Sequence, residues 1–271
     1  MPELPEVETV ANSVKHHLIN NSFNKIYVNW PKTLFNFSLT DYENRVKNNV
    51  VHNIFRRGKY IIIDFVNCII AIHLRMTGKL YVVDSVDLDN KHISLYIQLT
   101  EKYLVFEDTR KFGRFYLYDN LSYLDNKLGI EPLSQNFCSH WFMKNIKNRS
   151  RQMKSLLLDQ SFVCGIGNIY ADEVLWESKI NPLSISNRIS SVKINKLHRA
   201  IVEVLKDSIK RGGTTIRDYT YDYRYVGNYA LNLKVYGRTG ENCFRCKTKI
   251  VKTTVAQRGT HFCPKCQKNY S

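Results

Sequence analysis

Two places in this chain carry residue types at spacings that could do chemistry. The first is the terminus, Met1-Pro2-Glu3-Leu4-Pro5-Glu6. Removal of Met1, usual when the next residue is small, leaves Pro2 as a terminal secondary amine. An α-amino group titrates near pH ~8, about two units below a lysine, so a useful fraction is neutral at physiological pH. A neutral amine can attack an electrophilic carbon and form a Schiff base. Glu3 and Glu6 stand beside it as proton donors or hydrogen-bond partners. The same residues also make an ordinary helix start, with proline in the first turn and acids at the positive pole. Taken alone, the six residues favour that second reading.

The second place is Cys243-Phe244-Arg245-Cys246 and Cys263-Pro264-Lys265-Cys266, two CxxC pairs with sixteen residues between them. Cys243, Cys246, Cys263 and Cys266 as two tight knuckles suit one tetrahedral zinc ion, and without a fifth ligand or nearby base the ion is structural. Disulfides are the alternative, disfavoured in an intracellular chain. Cys68, Cys138 and Cys164 lie in apolar stretches and read as buried thiols. Between the knuckles, Gln257-Arg258-Gly259-Thr260 reads as the turn of a zinc-closed hairpin, with Arg258 either a solvated charge or a phosphate contact, the surrounding positive charge favouring the second.

The charge balance supports a polyanionic partner. Forty Lys and Arg against twenty-four Asp and Glu give a net charge of +16, an excess that most often serves nucleic acid. Nine of the basic residues and a single acid fall between Lys234 and Ser271. Four thiolates and Zn²⁺ would lower that segment from +8 to about +6, still strongly cationic. Apolar runs are too short for a membrane span, and the acidic N-terminus does not resemble a secretory signal. The expectation is a cytoplasmic protein that does not engage membranes.

These groups need elements to position them. Val7, Val10, Ala11, Val14 and Leu18 recur at helical spacing over residues 5–20. Eight short apolar and aromatic segments follow: 23–30, 50–55, 60–66, 68–74, 80–83, 93–99, 103–107 and 114–118. They predict a β-sandwich-like N-terminal domain. Gly129 and Pro132 mark a linker, after which the periodicity turns helical over 153–158, 169–177 and 194–209. Cys164-Gly165-Ile166-Gly167-Asn168 separates two of these helices. The glycines permit a tight turn, Asn168 is an N-cap candidate, and free N–H groups at such a start can cradle phosphate.

Read together, these segments resemble the formamidopyrimidine-DNA glycosylase family. The matching stretches are Pro2–Glu8, Arg57-Gly58-Lys59-Tyr60, His73–Gly78, Asp108–Gly113, Leu158-Asp159-Gln160 through Tyr170, Val235–Arg238 and the cysteine segment with Gln257–Thr260. They occur in family order across essentially the whole chain, and they reverse the reading of the terminus from cap to catalyst. The resemblance implies an α+β protein. It has an N-terminal β-sandwich with flanking helices (1–130, catalytic), a helix-two-turn-helix DNA-binding domain (131–233) and a zinc-bound β-hairpin (234–271).

The resemblance also implies an enzyme that excises 8-oxoguanine and formamidopyrimidines from duplex DNA and nicks the strand, acting as a monomer. Pro2 would be the Schiff-base nucleophile and Glu3 the proton donor to the opening sugar. Lys59 would serve β-elimination at the lesion, although sequence alone favours a solvated turn lysine there. Arg258 would serve δ-elimination or grip phosphate. Met76, Arg110 and Phe112 would fill the stack vacated by a flipped base, with Arg110 facing the orphaned cytosine, although Met76 and Phe112 taken singly read as core. Glu6 would line the base pocket, Lys154 and Asn168 would grip phosphate, and His92 would contact DNA, His73 being a similar but weaker carry-over.

One stretch departs from the family pattern. Gly212–Tyr219 matches the start of a loop that closes over the flipped base, but residues 219–229 are heavily aromatic where relatives carry small polar residues. The alternatives are an endonuclease VIII-like enzyme for oxidised pyrimidines and a catalytically silent zinc-ribbon DNA-binding protein. Leu4–Glu8 and the Arg110/Phe112 pair speak against the first; Pro2, Glu3 and Lys59 speak against the second. A metal-dependent nuclease lacks the clustered carboxylates that Mg²⁺ needs.

Overall fold

The structure, a computed structural model, describes residues 1–214 and 228–271. The chain divides into two compact units. Unit 1 comprises Met1–Asn126 with the described residues of Arg211–Asn228; unit 2 comprises Lys127–Lys210 and Tyr229–Ser271. The expected boundaries cut the chain more finely: the cysteine segment packs inside unit 2, and the chain returns to unit 1 at Arg211.

In unit 1, α1 (Leu4–Leu18) is followed by β1 (Ile26–Val28), α2 (Leu39–Arg45), β2 (Asn53–Arg57), β3 (Tyr60–Asp64), β4 (Ile69–His73), β5 (Gly78–Val83), β6 (Ile93–Gln98), β7 (Tyr103–Asp108), β8 (Arg114–Tyr118) and α3 (Ser122–Asp125). All eight expected strands are present. They form two antiparallel four-stranded sheets, ordered β1-β6-β7-β5 and β2-β3-β4-β8. Alternation sets the inner faces: Ile54, Ile61, Ile63, Ile70, Ile72, Phe115 and Leu117 of one sheet share a core with Leu80, Leu95, Ile97, Leu104 and Phe106 of the other. The apolar stripe of α1, Val7 to Leu18, closes onto that core. Burying that stripe fixes the helix, and the helix in turn fixes the residues before it. α2 carries little apolar periodicity and was not legible; Ser38 and Asp41 form a capping box that starts it.

Unit 2 contains α4 (Ser139–Lys147), α5 (Met153–Leu158), α6 (Asn168–Ser178), α7 (Ser191–Lys210) and the antiparallel hairpin β9 (Val251–Val255) and β10 (Arg258–Phe262). Three details depart from expectation. Gly167 is the N-cap of α6, so Asn168 is its first helical residue. The hairpin turn is Ala256-Gln257, both at positive φ, and Arg258 begins β10. Cys138 is exposed and caps α4, its sulfur accepting from the Trp141 amide. The segment 219–229 falls almost wholly within 215–227, outside the described residues. Among the described residues, no helix is long and apolar enough to cross a membrane.

Candidate active site and nucleic-acid-binding residues

Pro2 and Glu3 are buried at the mouth of α1, with Glu3 as its N-cap and Pro5 in the first turn. The capping chemistry foreseen as the bland alternative is therefore present, and it aims the terminus. Glu6 Oε2 accepts the Glu3 amide at 2.9 Å, while Glu6 Oε1 accepts the Thr214 amide at 2.7 Å. One buried carboxylate thus ties the backbone beside Pro2 to the strand bridge Thr214–Asn228. That bridge is reached through Gly212 and Gly213 at φ 76° and 80°, a left-handed path that glycine adopts without Cβ strain.

Lys59 lies in the two-residue turn between β2 and β3, after Gly58 at φ 58°. At 6% exposure it is not the solvated turn lysine that sequence favoured. Its neighbours are braced: Arg56 pairs with Glu8 at 2.8 Å and Arg57 with Asp125 at 2.8 Å. His73 is a neutral imidazole, its pKa pulled down to about 3 by burial and then by the cations of Arg75 and Lys59. Its Nδ1 accepts the Arg75 amide at 3.0 Å. An unprotonated ring adds no positive charge of its own to this cationic corner.

Met76, Arg110 and Phe112 stand together in unit 1. Arg110 Nη1 lies 3.1 Å from Met76 Sδ, and its guanidinium sits 5.0 Å from the Phe112 ring centroid. Met76 is 45% exposed and Phe112 47%, so both large apolar side chains face solvent rather than the core assigned to them singly. Buried Asp108 makes the platform. Its Oδ1 accepts Thr77 Oγ1 at 2.5 Å and the Arg110 amide at 3.1 Å, and its Oδ2 accepts the Gly113 amide at 2.7 Å. Gly113 is obligatory, since a Cβ there would meet the Phe106 ring at 2.2 Å. His92 braces the same loop through its backbone, its carbonyl accepting the Asp108 amide at 2.9 Å. Asp108 was quoted in the sequence motif without a role; an aspartate bonding the amide two residues on is the turn signal that could have found it.

In unit 2, Asn168 Nδ2 donates to the Gly259 carbonyl at 3.0 Å, joining the start of α6 to the hairpin beside Arg258, which is exposed. Lys154 does not match its expected place on phosphate. Its side chain is fully buried, 2.6 Å from Asp172, and it donates to the Gly259 carbonyl and Thr260 Oγ1. A lysine with no accessible surface cannot touch DNA; the i, i+3 pattern of α5 gave no hint of this long-range pairing. Glu173, also missed, accepts the successive amides of Lys234, Val235 and Tyr236 at 2.8–3.0 Å. Burial pushes its carboxyl up against the opposing pull of those three amides.

The sulfur atoms of Cys243, Cys246, Cys263 and Cys266 all lie within 4.8 Å of one another, with separations of 3.9 Å for 243–266 and 3.4 Å for 246–263. Zinc–sulfur bonds of about 2.3 Å in a tetrahedron require edges of about 3.8 Å, so the four thiols fit one structural zinc ion. Trp176 Nε1 donates to Cys243 Sγ at 3.5 Å, and Arg245 stacks on the Trp176 ring at 3.6 Å. Such an outer hydrogen bond orients a ligating thiolate.

Comparison with known proteins agrees with this geometry over the full length. The formamidopyrimidine-DNA glycosylase N-terminal domain matches residues 1–115, the H2TH domain of the same enzyme matches 128–220, and a zinc finger found in FPG and IleRS matches 240–269. A formamidopyrimidine-DNA glycosylase of Ligilactobacillus salivarius is 41% identical, covering 98% of this chain and 99% of that protein. One from Lactococcus lactis is 39% identical over 99% of this chain and 100% of its own length. Among solved structures, a Lactococcus lactis FPG mutant in complex with Fapy-dG-containing DNA aligns with a TM-score of 0.93 at 36% identity, covering 99% and 100% of the two chains. A Lactococcus lactis Fpg complex with abasic-site DNA aligns with a TM-score of 0.91 at 35% identity, covering 98% and 100%. With its mixed helix-and-sheet fold, H2TH domain and four-cysteine zinc finger, the chain belongs to the formamidopyrimidine-DNA glycosylase family, a family of DNA glycosylase/AP lyases that act on damaged DNA.

Proposed function

We propose that this enzyme excises oxidised purines, 8-oxoguanine and formamidopyrimidines, from duplex DNA through a Schiff base on Pro2 and then cleaves the strand by β,δ-elimination. The observation that carries the reading is the terminus: Pro2 and Glu3 are built into the start of α1, with the Glu3 backbone fixed by Glu6. A free Pro2 amine attacks C1′ of the damaged nucleotide, and the bond from C1′ to the base breaks, the base leaving with a proton. Glu3 protonates the ring oxygen O4′, and the sugar opens to an iminium joining C1′ to the proline nitrogen. The iminium is an electron sink that acidifies C2′. Loss of that proton expels the 3′ phosphate, and a second elimination expels the 5′ phosphate. Water then returns the amine and releases the sugar fragment.

Reaching the sugar requires rotating the nucleotide out of the stack. Half-exposed Met76 and Phe112 beside the Arg110 guanidinium offer a thioether, a ring and a cationic plane to replace the lost stacking. Lys59 serves β-elimination at the lesion, and Glu6 holds the base pocket to the terminus. His92 acts through its backbone beneath the wedge loop. Arg258 and Asn168 hold phosphate. Bound zinc supplies a structural crosslink that shapes Arg258's hairpin.

The test is trapping. A duplex bearing 8-oxoguanine opposite cytosine, incubated with the enzyme and borohydride, yields a covalent adduct mapping to residue 2. Absence of an adduct with 8-oxoguanine, formamidopyrimidine and dihydrouracil alike sinks the mechanism. Trapping confined to dihydrouracil favours the pyrimidine-lesion alternative.

A further inference from the structure

The hairpin that presents Arg258 is held in a way its own sequence does not explain. Its two-residue turn, Ala256-Gln257, places both residues in the left-handed region at φ 49° and 58°. Register Arg258–Val255 makes this a type I′ turn, which favours Asn-Gly, and each ordinary residue there costs about 1 kcal/mol. A strained turn persists where its surroundings over-determine it.

Those surroundings are a buried ion pair. Lys154 of α5 and Asp172 of α6 are both 0% exposed and 2.6 Å apart. Between them they bond three successive residues of β10. Lys154 donates to the Gly259 carbonyl at 3.2 Å and to Thr260 Oγ1 at 2.8 Å. Asp172 Oδ2 accepts the His261 amide at 2.8 Å and lies 3.3 Å from His261 Nδ1. Thr260 Oγ1 in turn donates to the carbonyl of Arg258 at 2.9 Å. The path Asp172–Lys154–Thr260–Arg258 is continuous and ends on the backbone of the exposed arginine. Asn168, four residues before Asp172 and so on the same face of α6, bonds Gly259 as well.

We infer that Lys154 and Asp172 form a positioning pair: they set Arg258 and Asn168 for phosphate without touching DNA, and Asp172 contributes to DNA affinity although it is an acid. This rests on the reading of Arg258 as a phosphate contact. A buried pair is suited to the task because moving the strand would strip hydrogen bonds from two charged groups that have no water to replace them, so the register cannot drift by small steps.

The sign of one effect separates this role from simpler ones. Removing an acidic residue from a cationic DNA-binding protein ordinarily strengthens binding; here Asp172→Asn weakens it. The experiment measures duplex affinity against salt concentration for the zinc-loaded full chain. Arg258→Ala loses about tenfold in affinity and its salt slope falls by about 0.9, one phosphate contact. Asp172→Asn loses a comparable amount, and adding Arg258→Ala to it costs less than twofold more. Lys154→Met/Asp172→Ala, which buries no lone charge, keeps one zinc per chain and behaves like Arg258→Ala. Unchanged or tighter binding by Asp172→Asn overturns the inference, as do losses that multiply with Arg258→Ala. A silent Arg258→Ala overturns instead the phosphate reading beneath it.

Discussion

Asp108 offers the sharpest quantitative test of how Met76, Arg110 and Phe112, the residues proposed to fill the stack, are held. Its carboxylate serves three donors, two at Oδ1 and one at Oδ2, from a position with no accessible surface. Asp108→Asn preserves shape but leaves one oxygen to do the work of two. If that oxygen keeps Thr77 and Arg110, the new NH₂ opposes the Gly113 amide, and that donor is stranded. A hydrogen bond to a charged acceptor contributes about 1.5–3 kcal/mol net. Losing one and neutralising the acceptor of the other two costs about 3 kcal/mol. At about 2–4 °C per kcal/mol for a unit of this size, the unit 1 transition falls by about 6–12 °C. Calorimetry reads that shift. Below the transition, single-turnover kinetics compares 8-oxoguanine excision with cleavage at a preformed abasic site. Excision falls more, because it must displace a stacked base and the wedge loop is loosened. A variant that melts within about 2 °C of the parent and excises at the parental rate refutes the assignment of Asp108 as the platform.

Three further outcomes are expected. Because His73 is held neutral, with its pKa down at about 3, the unfolded chain binds a proton that the folded chain refuses. The folded state gains from this above pH ~6.5 and loses it as pH falls, by about 1.4 kcal/mol per unit relative to His73→Asn; urea unfolding of both at pH 7 and pH 5 measures the gap, and parallel profiles would contradict it. Chelating the zinc weakens duplex binding at least about tenfold while the unit 1 transition stays in place, since the four cysteines belong to unit 2; equal loss of both argues against this separation. An uncleaved N-terminal extension abolishes borohydride trapping while binding to DNA persists, and retained trapping counts against Pro2.

The sequence carried its information where periodicity or local spacing is the cause. Eight strands, α1, α5, α6 and α7 follow from alternation and helical repeat, and four cysteines at CxxC spacing define their own site whatever surrounds them. Motif order alone turned the reading of Pro2 from a cap into a nucleophile; the structure shows the capping box at the start of α1, and the proposed chemistry uses that cap to aim the terminus.

Other features depend on which surfaces fold together, and no local pattern encodes that. Lys154 and Asp172 lie eighteen positions apart on different helices, and the strand they grip is about ninety positions further on; only packing makes one pair of the charges and removes Lys154 from the list of phosphate contacts. Met76 and Phe112 look like core by composition but stand in solvent, because Asp108 and the space that Gly113 leaves for Phe106 turn their loops outward. Lys59 looks like a surface lysine but is buried. Side-chain chemistry is written in the sequence, whereas the burial that decides what that chemistry can touch is a property of the assembled tertiary structure.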